Sequence, residues 1–254
     1  MKVLITGATG GIGEALIDIL IKNNYEVIAL GRNRDRLKEL EERYFPKVEG
    51  YSLSFNREEE IENFLKVIEN KKIDMIINGA GIGEIGYLED IPYTQLRDMI
   101  DINLVALTKF TKFFYDKMVR EGRGTIVNIS STAGFQQGGP LMGVYYATKA
   151  YVNSFTFSLY EEGREKGVKV VLLAPGPTKT NFKGMEKELS AIEKFYVTSP
   201  EEVALEFFKG LKKEKVVIIP GIVNKILYRI DKLIPTKWKL KSIKKIQGKK
   251  IKKF

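Results

Sequence analysis

The chain has 254 residues, 44% of them hydrophobic, which is enough for one large α/β core, and a formal charge of +10. It holds no histidine and no cysteine, which excludes a Ser-His-Asp triad, histidine general acids, thiol nucleophiles, disulfides and His or Cys metal sites, so no metal is expected. The charge is local: residues 224 to 254 carry twelve Lys or Arg against the single acid Asp231, while residues 1 to 223 carry 30 basic and 31 acidic residues.

In chain order, a strand is predicted from Lys2 to Thr6, too short an apolar run for a signal peptide, followed at once by glycines. Then come a helix from Ile12 to Lys22, a strand from Glu26 to Leu30, a helix from Asp35 to Tyr44, and a strand from Val48 to Leu53. A helix from Arg57 to Glu69 leads to a strand from Ile73 to Asn78, and one long helix from Tyr93 to Arg120 leads to a strand from Gly124 to Ser130. The last predicted alternations are a helix from Leu141 to Lys166, a strand from Val168 to Ala174, a loop from Gly176 to Thr198, a helix from Pro200 to Lys212 and a strand from Lys215 to Ile219. Most strands are unbroken apolar runs, as burial on both faces requires. The pattern predicts an α/β, doubly wound Rossmann fold with a seven-stranded parallel sheet, a single domain over residues 1–221. Apolar residues at 222, 223, 226, 227, 230, 233 and 234 predict a further helix ending at Pro235, beyond which the pattern decays into lysines; residues 222–254 form the basic C-terminal tail. No stretch reaches 18 apolar residues, and a cytoplasmic body is expected.

The first strand runs into Thr6-Gly7-Ala8-Thr9-Gly10-Gly11-Ile12-Gly13 and then a helix. Gly7, Gly11 and Gly13 permit a tight turn, with Thr9 and Ile12 between them, so that main-chain N–H groups at the helix start face a pyrophosphate. Gly81 to Gly86 also fits G-x-G-x-x-G, but Pro92 intervenes before the next helix, so this segment reads as a loop beside the cofactor. At the end of the second strand Arg32 stands where NAD-binding chains carry an acid, and a guanidinium fork suits a 2′-phosphate, which favours NADP(H) over NAD(H). Arg34 and Arg36 read as solvated residues of a helix start.

Without His or Cys, the catalytic proton needs another carrier. Tyr-x-x-x-Lys occurs twice, at Tyr145/Lys149 and Tyr228/Lys232. The first follows a strand and Ser131, and residues four apart share a helix face. A tyrosine pKa of about 10 is too high for neutral chemistry, so the Lys149 ammonium, aided by the positive nicotinamide of an oxidised cofactor, is expected to bring Tyr145 down toward the working range.

Taken in order, Thr6 to Gly13, Asn78-Gly79-Ala80-Gly81, Asn103, Ser130-Ser131, Tyr145-x-x-x-Lys149 and Pro175-Gly176-x-x-x-Thr180 resemble the motifs of the short-chain dehydrogenase/reductase family. The resemblance runs from Lys2 to about Ile219. It implies Tyr145 as general acid/base, Ser131 on the substrate oxygen, Lys149 also on the nicotinamide ribose and Asn103 holding a water in a proton relay. It further implies Asn78, Gly79 and Ala80 along the adenosine side and Thr180 at the carboxamide, with Pro175, Gly176 and Thr178 grouped with it. Ser54 stands where the family often has an adenine-binding Asp. The family also implies a homodimer or homotetramer paired through the helices holding Asn103 to Arg120 and Leu141 to Lys166.

These residues point to an NADP(H)-dependent oxidoreductase acting on a small-molecule carbonyl or secondary alcohol. The competing reading is a non-catalytic nucleotide-binding sensor or scaffold docked through its tail. For the tail itself, three readings stand: a packed helix with a solvated Lys-rich end, a peripheral membrane contact through Trp238, Leu240, Ile243 and Ile246 among lysines, and, least favoured, nucleic-acid binding. A hydrophobic substrate would suit the membrane reading.

Overall fold

A strand that is apolar at every position needs cover on both faces, because its side chains alternate. The computed structural model describes residues 1–180 and 196–251. In it β1 (Lys2–Thr6) sends Val3 and Ile5 to one hydrophobic core and Leu4 to another, all three fully buried. Six further strands lie parallel to it: β2 (Glu26–Gly31), β3 (Val48–Ser52), β4 (Met75–Asn78), β5 (Gly124–Ile129), β6 (Val168–Leu173) and β7 (Val217–Ile218). Their order is β3-β2-β1-β4-β5-β6-β7, the predicted seven-stranded doubly wound sheet. Chain direction around the sheet reverses between β1 and β4, and the crevice at their C-terminal ends is where such sheets take ligands.

The helices are α1 (Gly11–Lys22), α2 (Arg34–Arg43), α3 (Glu58–Ile68), α4 (Tyr93–Ile100), α5 (Leu107–Glu121), α6 (Gly143–Arg164), α7 (Pro200–Lys212), α8 (Ile222–Ile230) and α9 (Thr236–Gly248). Leu16, Leu20 and Phe207, from α1 and α7, pack with Val3, Ile5 and Val127. On the opposite face Phe64, Phe110 and Phe114, from α3 and α5, pack with Leu4, Ile76 and Ile126. Starts are marked locally: Asn33 accepts from the Arg36 amide at 3.0 Å and Ser199 from the Glu202 amide at 3.1 Å, with Pro200 at the first turn of α7.

A buried polar ladder ties the sheet to its helices. Asn78 Nδ2 donates to Thr111 Oγ1 at 2.9 Å and to Asn128 Oδ1 at 2.8 Å, and Asn128 Nδ2 donates to Thr156 Oγ1 at 3.0 Å. These bonds join α5, β4, β5 and α6 just below the crevice.

Two expectations need correction. The long helix from Tyr93 to Arg120 is interrupted by a π-helical turn, Asp101–Ala106, whose widened backbone turns Asn103 inward. The helix predicted to Ile234 ends at Ile230 in a 3₁₀ turn, Asp231–Leu233, and after Pro235 the chain forms α9 in place of a solvated end. Lysine is a good helix former. Leu240, Ile243, Ile246 and Gln247 give α9 one side that packs back on the body.

Truncating Asn128 to alanine removes an acceptor from Asn78 and a donor from Thr156 in a dry setting. The Asn128→Ala variant is expected to lose about 2–4 kcal/mol of stability, read as a shift of the urea midpoint.

Candidate active site

β5 is followed by three hydroxyl residues, Ser130, Ser131 and Thr132, and the fold gives the adjacent serines different tasks. Ser130 is buried and donates to the Lys149 carbonyl at 3.0 Å, fastening α6 to the strand. Ser131 faces the cavity; its Oγ accepts from the Ala133 amide at 3.1 Å, and its side chain is hydrogen-bonded to Tyr145. Lys149 lies one turn of α6 beyond Tyr145, with Nζ 5.8 Å from the centre of the Tyr145 ring. It is 6% exposed and donates to the Ile129 carbonyl at 3.1 Å. Ser131, Tyr145 and Lys149 thus share one wall.

The electrostatics of this wall differ from the expectation. Burial pushes the Tyr145 phenol up to about 12, opposed by its Ser131 hydrogen bond. Burial likewise holds Lys149 down at about 8. Desolvation disfavours each charged form and outweighs the stabilisation that a cation against the ring was expected to give. Burial in the chain alone thus favours Tyr145 as the neutral phenol, the form that donates a proton.

Asn103 is buried in the π turn. Its Nδ2 donates to the Ile82 carbonyl at 2.9 Å and to Thr148 Oγ1 at 3.1 Å, and its Oδ1 accepts from the Ile82 amide at 2.9 Å. Both amide protons are therefore committed, and the side chain clamps the Gly81–Gly86 segment, which forms a wall of the site through Ile85. A Cβ at Gly81 would stand 3.3 Å from Asn103 Oδ1 and 3.4 Å from Lys149 Nζ, which places both groups around that glycine.

At the nucleotide end, Gly7 has φ +72°, and a Cβ there would lie 2.7 Å from the Gly79 carbonyl oxygen. A Cβ at Gly13 would lie 2.3 Å from the Gly7 oxygen. Hydrogen alone fits in these two places, so the turn closes tightly over the start of α1, whose first N–H groups have no intrahelical partners. This cradle fits a dinucleotide pyrophosphate. Ile12, Gly79, Pro175, Gly176, Thr178 and Thr180 line the same cavity as Ser131, Tyr145 and Lys149. Gly11 lies behind Thr180, and the Thr9 side chain packs over Gly31. Ala80 donates its amide to Thr6 Oγ1 at 3.1 Å. Ser54 donates its amide to Glu60 at 2.7 Å. The Asn78 side chain is turned into the polar ladder. Arg32 is exposed just past β2. Arg36 is not simply solvated, since it holds both carboxylate oxygens of Glu14 at 2.7 and 2.8 Å and pairs with Glu39.

The roof of the cavity is what the motif reading missed. Leu227, Ile230 and Ile234 come from α8 and the segment after it, and Ile243, Ile246 and Gln247 come from α9. With Met142 and Ile85 they cover the Ser131 and Tyr145 part of a cavity of about 420 Å³ in all. Lys239 Nζ meets Asp231 Oδ2 at 2.8 Å in this roof, the two side chains 10% and 14% exposed. Gln247 Nε2 donates to the Tyr146 hydroxyl at 3.5 Å, and Thr236 is hydrogen-bonded to Gln137. The spacing of Leu240, Ile243 and Ile246 was the available signal, hidden among lysines. Of the loop expected from Gly176 to Thr198, residues 181–195 lie outside the described residues. Its base is closed by Lys179 donating to the Thr198 carbonyl at 2.9 Å, and Asn224 of α8 donates to the Tyr196 carbonyl at 3.1 Å.

Comparison with known proteins agrees with this geometry. The sequence pattern of the short chain dehydrogenase family matches residues 1–190. A very-long-chain 3-oxoacyl-CoA reductase of Homo sapiens is 30% identical over 180 residues, 68% of this chain; the match spans 57% of that protein's length. An NADP-dependent 3-hydroxy acid dehydrogenase of Salmonella typhi is 33% identical over 217 residues, 80% of this chain and 86% of that one. Among solved structures, a short-chain dehydrogenase from Sphingobium yanoikuyae in complex with NADPH superposes with a TM-score of 0.80 at 25% identity, over 95% of each chain.

The depressed Lys149 pKa has a measurable sign. Below about 8 both the folded and the unfolded chain hold the proton, and the full burial penalty opposes folding; between about 8 and 10.5 the folded chain releases it first, so stability rises with pH. Lys149→Met is expected to remove that rise, about 3 kcal/mol across the window. Urea midpoints measured between about pH 8 and 9 check the first part of that rise, below the range in which unfolded tyrosines ionise and the raised Tyr145 pKa acts in the opposite direction.

Proposed function

The chain belongs to the short-chain dehydrogenase family, and we propose on that premise that it is an NADP(H)-dependent oxidoreductase moving hydride between nicotinamide and a carbonyl or secondary alcohol. The observation that carries this reading is the convergence of Ser131, Tyr145 and Lys149 in one apolar cavity that also reaches the glycine turn through Ile12 and Gly79. The alternative of a non-catalytic scaffold gives no reason for a neutral phenol and a serine hydroxyl to meet inside such a cavity.

NADP(H), when bound, supplies or accepts the hydride. Gly7 to Gly13 would hold its pyrophosphate at the start of α1, Arg32 its 2′-phosphate, and Thr178 and Thr180 the nicotinamide end. The complex of the Sphingobium protein with NADPH and the NADP dependence of the Salmonella relative support this choice.

In the direction of reduction, the Ser131 hydroxyl holds the substrate oxygen and stabilises its growing charge. Tyr145 donates its phenolic proton to that oxygen, and the alcohol leaves with one hydride on carbon and one proton on oxygen. Lys149 then stands beside a phenolate that solvent must reprotonate. A relay water at Asn103 would bind the free lone pair of Oδ1 or the main-chain carbonyl, because both Nδ2 protons are committed. In the reverse direction Tyr145 must first be ionised, which its raised pKa opposes.

The apolar roof suits a bulky, largely hydrophobic substrate. The two named relatives handle 3-oxoacyl and 3-hydroxy acid compounds, which places acyl chains oxygenated at carbon 3 first in any panel. We assign the catalytic body to residues 1–221 and the roof to the described residues 222–251 of the C-terminal segment 222–254. Exposed Val105, Tyr151 and Phe157 on the Asn103–Arg120 and α6 segments support pairing into a homodimer or homotetramer, and analytical ultracentrifugation finding a monomer would refute it.

Tyr145→Phe is expected to lower kcat by roughly 10²–10⁴-fold while NADPH still binds; undiminished turnover would remove Tyr145 from the mechanism. Arg32→Ala is expected to raise KM for NADPH by about 10–100-fold and leave NADH almost unchanged. Both are read at the nicotinamide absorbance. Reduction should hold a steady rate across neutral pH, while oxidation climbs as the solution becomes more alkaline.

A further inference from the structure

We propose that the outer face of α9 is a docking surface for an anionic phospholipid membrane. The helix has two unlike sides. Leu240 packs toward Gly138, while Ile243, Ile246 and Gln247 line the cavity. At 100° per residue, Lys237, Lys241, Lys245 and Lys249 turn to the opposite side with Trp238 among them, while Lys244 stands at the flank with Nζ 5.9 Å from the centre of the Tyr87 ring; all six are exposed. Among the described residues none of these five lysines meets a carboxylate, and Asp231, the one acid after residue 223, is bound to Lys239. The body balances its own charges, so the field of the molecule is concentrated on this helix.

Charge is joined by exposed apolar groups. Leu233 and Trp238 are 82% and 74% exposed on either side of Pro235, at the turn that joins α8 to α9, and Ile222 and Ile226 are exposed on α8. A row of lysines beside an exposed tryptophan and leucine suits a bilayer interface, where the ammonium groups meet anionic headgroups and the indole sits at the boundary with the acyl chains. Nucleic acid would satisfy the lysines equally but would need several stacking platforms, and Trp238 is the one aromatic residue of α9. No described helix is long and apolar enough to cross a membrane, so the contact is one of lying on the surface. The docked helix would then be the partition between bilayer and cavity, about 10 Å thick.

Trp238 is the only tryptophan in the chain, so its emission reports this face and no other. The full chain is titrated with phosphatidylcholine vesicles with and without phosphatidylserine. The expected result is sedimentation with the phosphatidylserine vesicles and a blue shift of Trp238 emission, both reversed by high salt. Each lysine is expected to contribute roughly fivefold, so the combined Lys241→Gln, Lys245→Gln and Lys249→Gln variant should bind these vesicles roughly a hundredfold more weakly at an unchanged melting temperature. If the variant melts lower, the salt dependence of the unaltered chain carries the same test. The proposal is overturned by an absent emission shift, by equal binding to pure phosphatidylcholine, by an unimpaired triple variant of unchanged melting, or by tighter binding to DNA than to vesicles at equal salt. None of these readings involves turnover, so failure of the oxidoreductase assignment leaves the test intact.

Discussion

Lys149 carries an ammonium into the flank of the sheet, and the rest of the site is arranged around holding it there. Its Nζ donates to the Ile129 carbonyl while its own main-chain carbonyl accepts from Ser130 Oγ, so one residue is fastened to β5 at both ends. Gly134 completes the fit, because a Cβ there would lie 2.4 Å from the Lys149 carbonyl oxygen. Two turns further along α6, the Asn128–Thr156 bond repeats the attachment. A helix fixed at this density to its neighbouring strand presents Tyr145 from a rigid base, which catalysis by positioning requires.

The same burial that makes the base rigid sets its chemistry. Lys149 is buried and Tyr145 is half-buried against the apolar cavity, so the phenol resists losing its proton and the ammonium holds its own weakly. The chain by itself therefore favours the uncharged phenol and is arranged for giving a proton more than for taking one. A site open to water would lose this bias along with the apolar cavity above it.

Much of the fold could be read from residue order. Unbroken apolar runs located most of the strands, because a strand covered on both faces has no polar positions with which to disguise itself. Tyr145 and Lys149 stood out because spacing and place agreed, and the structure puts both beside Ser131. The π turn at Asp101–Ala106 was invisible, since one extra residue in a helical turn leaves apolar periodicity nearly intact. The direction of the Tyr145 shift was also out of reach, because proximity to a cation follows from spacing but depth of burial does not. In α9 the lysines concealed a helix side of only a few apolar residues; composition described the outward half and masked the inward half.

The roof joins the body through few polar bonds, among them Thr236 to Gln137 and Gln247 to Tyr146, together with side-chain packing from a single stretch of chain. The proton-transfer wall, by contrast, is assembled from β5, α6 and the π turn. On the proposed reading, reaction and substrate range are written in separable stretches of one gene product. Drift or recombination confined to the last thirty or so codons could replace the ceiling over Tyr145 while leaving every bond to Lys149 in place, so descendants of such a chain would diversify in what they accept long before they change what they do to it.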